Sequence, residues 1–240
     1  MMIKLMMGCA LAVAGLVATG SVHAQRGERI TVAVDEFKNE SGAGWWGGGV
    51  GWELSGMLSN ELVATRAFSV VERSRLESVM EEQNLAASGR MRPGEGARIG
   101  QLTGAQYLVM GTVTSYEEDT ASTGGGISFR GVSLGGKSSK AYVAVDLRVV
   151  NSETGEIEFV RTIEGEAKSG GMSIGLYRGG FGGALANENN TPAGKAIRAA
   201  LVMATDYLEC VMVKQDRCMR EFDAADDRRR ERTRGSLSVD

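Results

Sequence analysis

"AYVAVDLRVVNSETGEIEFVRTI", residues 141–163, is the stretch on which the fold turns. Val143, Val145, Leu147 and Val149 fall on alternate positions, with Ala144, Asp146 and Arg148 between them, which is the period of a half-buried strand. "NSETGE" supplies Asn, Ser and Gly for a turn, and "IEFVRTI" then returns as the antiparallel partner. Working upstream, "RITVAVDEF" (29–37), "FSVVE" (68–72) and "AQYLVMGTVTSYEE" (105–118) read as further strands. Helical patterns separate them. Leu54, Met57, Leu58, Glu61 and Leu62 fall at helical spacing with one polar exception, predicting a helix of about 14 residues. "SRLE" (74–77) has the form of a capping box, with Ser74 at the cap and Glu77 three residues on. It opens a helix with Leu76, Val79 and Met80 on one face that runs out near Asn84, and another helix is expected from after Pro93 to Gly104. Downstream, Thr191 and Pro192 sit at cap and first-turn positions of a long helix with the stripe Ile197, Leu201, Ala204, Leu208, Val211 and Met212. The fold class is therefore α/β, in an α+β form.

The amino-terminal residues carry a different signal. Lys4, an apolar run and the small residues Val22 and Ala24 have the layout of a secretory signal peptide, with cleavage expected between Ala24 and Gln25. This assigns 1–24 to the signal peptide and places the mature chain outside the cytoplasm. "MMGC" (6–9) is loosely similar to a lipoprotein cleavage box, but the apolar run follows Cys9, where a mature lipoprotein normally turns polar. An unlipidated amino terminus is the expectation, and an upstream start codon would reopen lipidation of Cys9. The formal net charge of the 240 residues is −3, which gives no reason to expect a nucleic-acid partner.

Loss of 1–24 removes His23, the only histidine, so nucleophile–histidine pairs and histidine metal sites are excluded from the mature chain. No catalytic residue, cofactor site or metal site is expected, and the chain does not read as an enzyme. Cys210 and Cys218 are the cysteines left after Cys9 goes, and two cysteines in an oxidising compartment most often form one bridge. On one continuous helix, eight positions would hold their Cα atoms about 12 Å apart, beyond the usual 4.4–6.8 Å. The bridge therefore requires the helix to end between them. Past Asp226 the charged segment 227–240, "DRRRERTRGSLSVD", has almost no apolar content and reads as a solvated helix end followed by disorder.

Two polar, glycine-rich excursions interrupt the domain of residues 25–226. Residues 112–143 contain "GGGISFRGVSLGG" and residues 163–186 contain "GGMSIGLYRGGFGGALA", each with short alternating apolar stretches. A membrane-crossing strand needs about 9–11 residues, so the first excursion has room for two strands and a turn and the second barely does. Spacing alone favours glycine- and serine-rich surface loops. A third unusual segment is "FKNESGAGWWGGGVGWEL" (37–54), which sets Trp45 and Trp46 among glycines. Tryptophan usually finds a core, whereas glycine is the residue least able to hold a neighbour in place. These rings either cover the core of their own subunit or work outside it.

The ordered set "ITVAVDEFKNESG", "FSVVERSRLESVMEEQNLAASG", "ARIGQLTGAQYLVMGTVTSYEE" and "VAVDLRVVNSETGEI" resembles the family of CsgG, the curli secretion channel, and its holdfast relative HfaB. The similarity spans roughly residues 29–213. It implies an α/β periplasmic domain with two β-hairpins per subunit, here 112–143 and 163–186, that contribute to one oligomeric transmembrane β-barrel. It implies a homo-oligomeric ring, a nonamer in the resembled channel, held in the outer membrane. Passive export of unfolded curli-like, amyloid or adhesin subunits is the implied activity, with periplasmic accessory proteins as further partners, in cell adhesion and biofilm formation. The resemblance also implies that the loop after the first strand forms the channel constriction, for which Asn39, Trp45 and Trp46 are the candidates. The loop is much richer in glycine than the family pattern. The alternative is a soluble periplasmic binding or regulatory module of the same α/β type, acting in cell-envelope assembly.

Overall fold

The structure is a computed structural model that describes residues 29–122, 127–129, 132–134, 137–168 and 191–237. The cleavage residues Ala24 and Gln25, and the second excursion beyond Lys168, lie outside the described residues. One mixed sheet forms the body. Its strands are β1 (Thr31–Val34), β2 (Lys38–Asn39), β3 (Ser69–Val70), β4 (Tyr107–Ser122), β7 (Lys137–Asn151) and β8 (Ile157–Lys168). The order is β3-β1-β4-β7-β8, with β2 pairing β4 off this path. β1 is parallel to both β3 and β4, β2 is parallel to β4, and β7 runs antiparallel to both β4 and β8. A separate pair, β5 (Ile127–Phe129) and β6 (Val132–Leu134), lies within the segment joining β4 to β7.

The alternation read from residues 141–150 is the alternation the sheet uses. Val143, Val145, Leu147 and Val149 are all buried on the face that meets the helices, together with Val109, Val113 and Ile163 of the neighbouring strands. Helix α1 (Val50–Thr65) inserts Leu54, Leu58 and Leu62 into this core, as its spacing predicts. Helix α3 (Pro192–Glu209) starts where expected: the Thr191 hydroxyl accepts from the Gly194 N–H at 3.0 Å, and Pro192 occupies the first turn, where its missing N–H costs nothing. Its stripe of Ile197, Leu201, Ala204 and Leu208 is buried, and Val211 and Met212 continue it beyond the helix end.

The packing of α3 on β8 is close enough to depend on one glycine. A Cβ at Gly165 would run into the Ala196 carbonyl oxygen and stand 2.9 Å from the Ala200 nitrogen, both of them helix backbone that cannot step aside.

Three expectations are corrected. Helix α2 (Leu76–Ala87) begins one residue later than the capping box implies, with Arg75 at the cap and no side-chain cap hydrogen bond. Ser74 instead donates to the Glu72 carboxylate at 2.5 Å, and the same carboxylate accepts the Arg75 N–H at 3.1 Å. The Ser74 hydrogen bond holds the Glu72 carboxyl below the ordinary carboxylate range. No helix forms between Pro93 and Gly104, which are turns and bends. Gly94 and Gly100 have positive φ (86° and 79°), and Ile99 and Leu102 stay 62% and 49% exposed, so the segment has no apolar face to bury. The charged tail is the third: helix α4 (Cys218–Ser236) continues through most of 227–240.

The chain reverses between α3 and α4 through a π-helical turn, Cys210–Lys214, ended by Gln215 in the left-handed region (φ 47°). This reversal brings Cys210 and Cys218 to a Cα–Cα distance of 6.0 Å, and the two are bonded as a disulfide.

Two outcomes follow from these contacts. Gly165→Ala is expected to lower unfolding stability by about 1–3 kcal/mol, the usual cost of overpacking, read as a shifted denaturation midpoint. Gly48→Ala, where a Cβ meets nothing within 4 Å, should leave the midpoint unchanged. Cys218→Ser is expected to cost on the order of 2–3 kcal/mol at most, because the closed loop is short. Free thiols at both positions in protein purified without reductant would contradict the bridge.

Candidate functional site

The residues singled out in the strand–helix loop gather at the base of a long two-stranded arm. β4 is 16 residues long and β7 is 15, and their ladder runs from Tyr107↔Asn151 out to Ser122↔Lys137. The other strands accompany only part of it. β1 pairs with β4 at Val32↔Tyr107 through Val34↔Val109, β2 at Lys38↔Thr112 and Asn39↔Val113, and β8 stays with β7 as far as Lys140↔Lys168. Beyond Val113 the outer edge of β4 pairs with no strand among the described residues. A register shift between Val113 and Ser115 marks the place where the arm leaves the body, as bulges do where a sheet bends or pairing ends.

The loop lies against this departure point. Asn39, at the end of β2, turns its amide oxygen back on its own loop, accepting from the Ser41 N–H at 3.0 Å and the Ser41 hydroxyl at 2.7 Å. Ser41 Oγ accepts in turn from the Ala43 N–H at 3.2 Å, and the Trp46 N–H donates to the Ala43 carbonyl at 3.1 Å. Gly49, with φ 94°, starts α1 from the left-handed region that suits glycine. Gly51 has its own reason, since a Cβ there would strike the Phe37 carbonyl oxygen.

Trp45 and Trp46 are half-buried and pack against the hydrophobic core. Their rings lie 5.5 Å apart, and Trp45 meets the Tyr116 ring edge-on at 5.4 Å, a favourable aromatic geometry. Tyr116 belongs to β4 just past the register shift, and its hydroxyl donates to Glu118 Oε2 at 2.8 Å. The Trp45 indole N–H is buried with no acceptor among the described residues. Two rings projecting freely into water are therefore not what the structure contains. Trp45 fastens the loop to the root of β4.

On the opposite face of the sheet, at the same level, lies a belt of carboxylates. Tyr142 pairs across the strands with Glu117 on one side and Glu166 on the other, and Glu164 lies near. Neither Tyr116 nor this belt was singled out from sequence. Tyr142 and Glu166 become neighbours only through register, and the register shift between Val149 and Val150 defeats a simple count back from the 151–156 turn. Among the described residues no group of three or more histidine, cysteine or acidic side chains is placed to hold a metal ion, and no helix is long and apolar enough to cross a membrane.

Residues 17–237 match the family model described as "Curli production assembly/transport component CsgG". The protein of that name from Escherichia coli strain K12 is 28% identical over 139 residues, covering 54% of this chain and 50% of that protein. The chain thus spans about half the length of the curated CsgG relatives it matches. A Neisseria meningitidis serogroup B protein, described by name as a lipoprotein, is 31% identical over 189 residues, covering 75% of this chain and 78% of its own length. Among solved structures, hypothetical protein CT253 from Chlamydia trachomatis superposes with a TM-score of 0.45 at 14% identity, covering 78% of this chain and 99% of that one. With the family model matched over nearly the whole chain, the protein belongs to the CsgG family.

Proposed function

We infer that this chain is a subunit of an outer-membrane secretion channel that exports unfolded curli-like or adhesin subunits by passive diffusion through a ring-shaped pore. The observation that carries this reading is the β4–β7 arm. At 16 and 15 residues its strands exceed the body of the sheet by enough to supply much of the about 9–11 residues that cross a bilayer. Among the described residues, the arm leaves the sheet with one edge of β4 unpaired. In hydrocarbon each unsatisfied backbone group costs several kcal/mol, so a lone subunit cannot span. Closure requires identical copies whose edges pair in turn, a heterologous cyclic interface. Residues 163–186 supply the second hairpin in this reading.

The loop at 38–50 then sits at the neck, where the arm joins the body. Trp45 anchors it, and the neighbouring Trp46 and Asn39 set its reach toward the axis. A second reading, a soluble periplasmic module acting in envelope assembly, draws its support from the Neisseria meningitidis protein named as a lipoprotein, which matches 75% of this chain. Both readings place the mature protein outside the cytoplasm, after loss of residues 1–24.

Fractionation separates the readings: a channel subunit is recovered from the outer membrane as a heat-resistant oligomer that conducts in a planar bilayer. Soluble monomer without conductance would leave the periplasmic module. Within the channel reading, Trp45→Ala is expected to cost about 1–3 kcal/mol, below the 3–5 kcal/mol of a fully buried aromatic because the ring is half-exposed. Trp46→Ala is expected to raise single-channel conductance, since aromatic constrictions limit flow through diameter and wetting. Unchanged conductance in Trp46→Ala would assign this ring to packing alone. Mass spectrometry of the mature protein should find Gln25 at the amino terminus; a lipid on Cys9 would overturn the processing proposal.

A further inference from the structure

Helix α4 carries its charges in two blocks. In the first half Arg220 stands before four acids, Glu221, Asp223, Asp226 and Asp227, and Arg228, Arg229, Arg230, Arg232 and Arg234 follow against the single acid Glu231. None of its residues is buried, so the helix is not there to fill the core. Cations in a last turn complement the helix dipole, which accounts for Arg234 but not for a collar of five. Internal pairing uses part of it: Arg229 and Arg230 share the Asp226 carboxylate at 2.7 and 3.0 Å, and Arg232, 70% exposed, stands 4.0 Å from Glu164. Arg228 and Arg234 are exposed and form no ion pair among the described residues.

The collar is held in a fixed place. The disulfide ties Cys218 at the start of α4 to Cys210 at the start of the π-helical turn. The Arg161 guanidinium lies 5.2 Å from the Tyr207 ring and 5.0 Å from the Phe222 ring, and donates to the Phe222 carbonyl at 2.6 Å. Phe222 meets Tyr207 edge-on at 5.4 Å. With Phe222 beside Arg161 and Arg232 beside Glu164, α4 runs in the same direction as β8. Its arginine-rich end therefore points the way β8 does, toward Lys168 and its partner Lys140, the end of the sheet from which the β4–β7 arm projects.

We propose that the arginine collar of α4 docks on a bilayer surface bearing anionic phosphate headgroups at the foot of the arm. Charge complementarity carries the assignment. Guanidinium groups match phosphate oxygens in a planar, two-bond geometry, and a cluster of them on an exposed helix end reads out density of negative charge rather than one ligand. The level at which the collar meets the membrane rests on the channel reading; the attraction to a charged bilayer does not.

The test uses the full mature protein and the triple variant Arg228→Gln, Arg232→Gln, Arg234→Gln, all surface positions whose replacement should leave the melting temperature unchanged. Co-sedimentation is measured with vesicles of phosphatidylcholine alone and of phosphatidylcholine with one third phosphatidylglycerol. The wild type should prefer the anionic vesicles, lose that preference as salt is raised past about 0.1 M, where the Debye length is about 10 Å, and bind them on the order of 100-fold more tightly than the variant. Equal binding of the wild type to both vesicle types, or equal binding of wild type and variant to the anionic ones, overturns the proposal. Competition by inorganic phosphate at constant ionic strength would move the site to a free anion and overturn it as well, as would a variant that loses self-association while keeping its vesicle affinity. Arginine-dependent vesicle binding without conductance would retain the collar and remove the channel. Pores that insert alike in neutral and anionic bilayers, from wild type and variant, would do the reverse.

Discussion

Everything in this molecule hangs on the antiparallel ladder between β4 and β7. Its inner half is the middle of the sheet, with β1 and β2 on one side and β8 on the other, and its valines and leucine form the floor on which α1 and α3 pack. Its outer half is the arm. One ladder, interrupted only by the bulge between Val113 and Ser115, therefore links a conventional buried core to a projecting ribbon. A shift of one residue in that register would exchange the faces of both at once. The core fixes the register because the wrong face of β7 would bring Asp146 and Arg148 under α3, and the arm inherits that choice at no further cost.

Glycine has two separate uses in this chain. At Gly165, Gly111 and Gly51 it allows close approach: of β8 to the α3 backbone, of β4 to the Phe37 ring, and of α1 to the Phe37 carbonyl. At Gly47 and Gly48 a Cβ would meet nothing within 4 Å and φ is ordinary, so sterics do not require glycine there. The loop of 38–50 is shaped less by its glycines than by the anchors between them. Asn39 turns it, Ala43 plugs it, and Trp45 fixes it to Tyr116.

Much of the fold was legible because most of its elements obey one local period. The alternation of residues 141–150, the turn at 151–156, the stripe of α3 and the Thr191–Pro192 start can all be read without knowing what they touch. The break between Cys210 and Cys218 was legible from distance alone. What escaped depends on a local competition or on partners far along the chain. Glu72 displaces Ser74 as the acceptor at the entry to α2, a competition within three residues that the motif does not register. Residues after Pro93 have helical spacing but no surface to bury it against. The tail has too little apolar content to predict order, yet Phe222 and the disulfide suffice to seat α4. At the site, the choice between packing and projection for Trp45 turns on Tyr116, some 70 residues away, and no local pattern connects the two.

The distribution of open edges carries the synthesis one step further. A sheet edge invites pairing with any strand, and natural sheets blunt theirs with short strands, charges or a covering element. Here β3, the edge on one side of the body, is only two residues long. β8, the edge on the other side, is flanked by α4 through Phe222, Arg161, Arg232 and Glu164. Both ends of the body are thus poor templates. The long unprotected edge that remains among the described strands is that of β4 past Val113, where the ribbon has left the body. Association by strand pairing is consequently steered away from the folded domain and onto the arm. A chain that had merely failed to cover its edges would leave them open where its strands are best ordered, in the body. This one protects the body and leaves open the segment that a ring of copies would have to join.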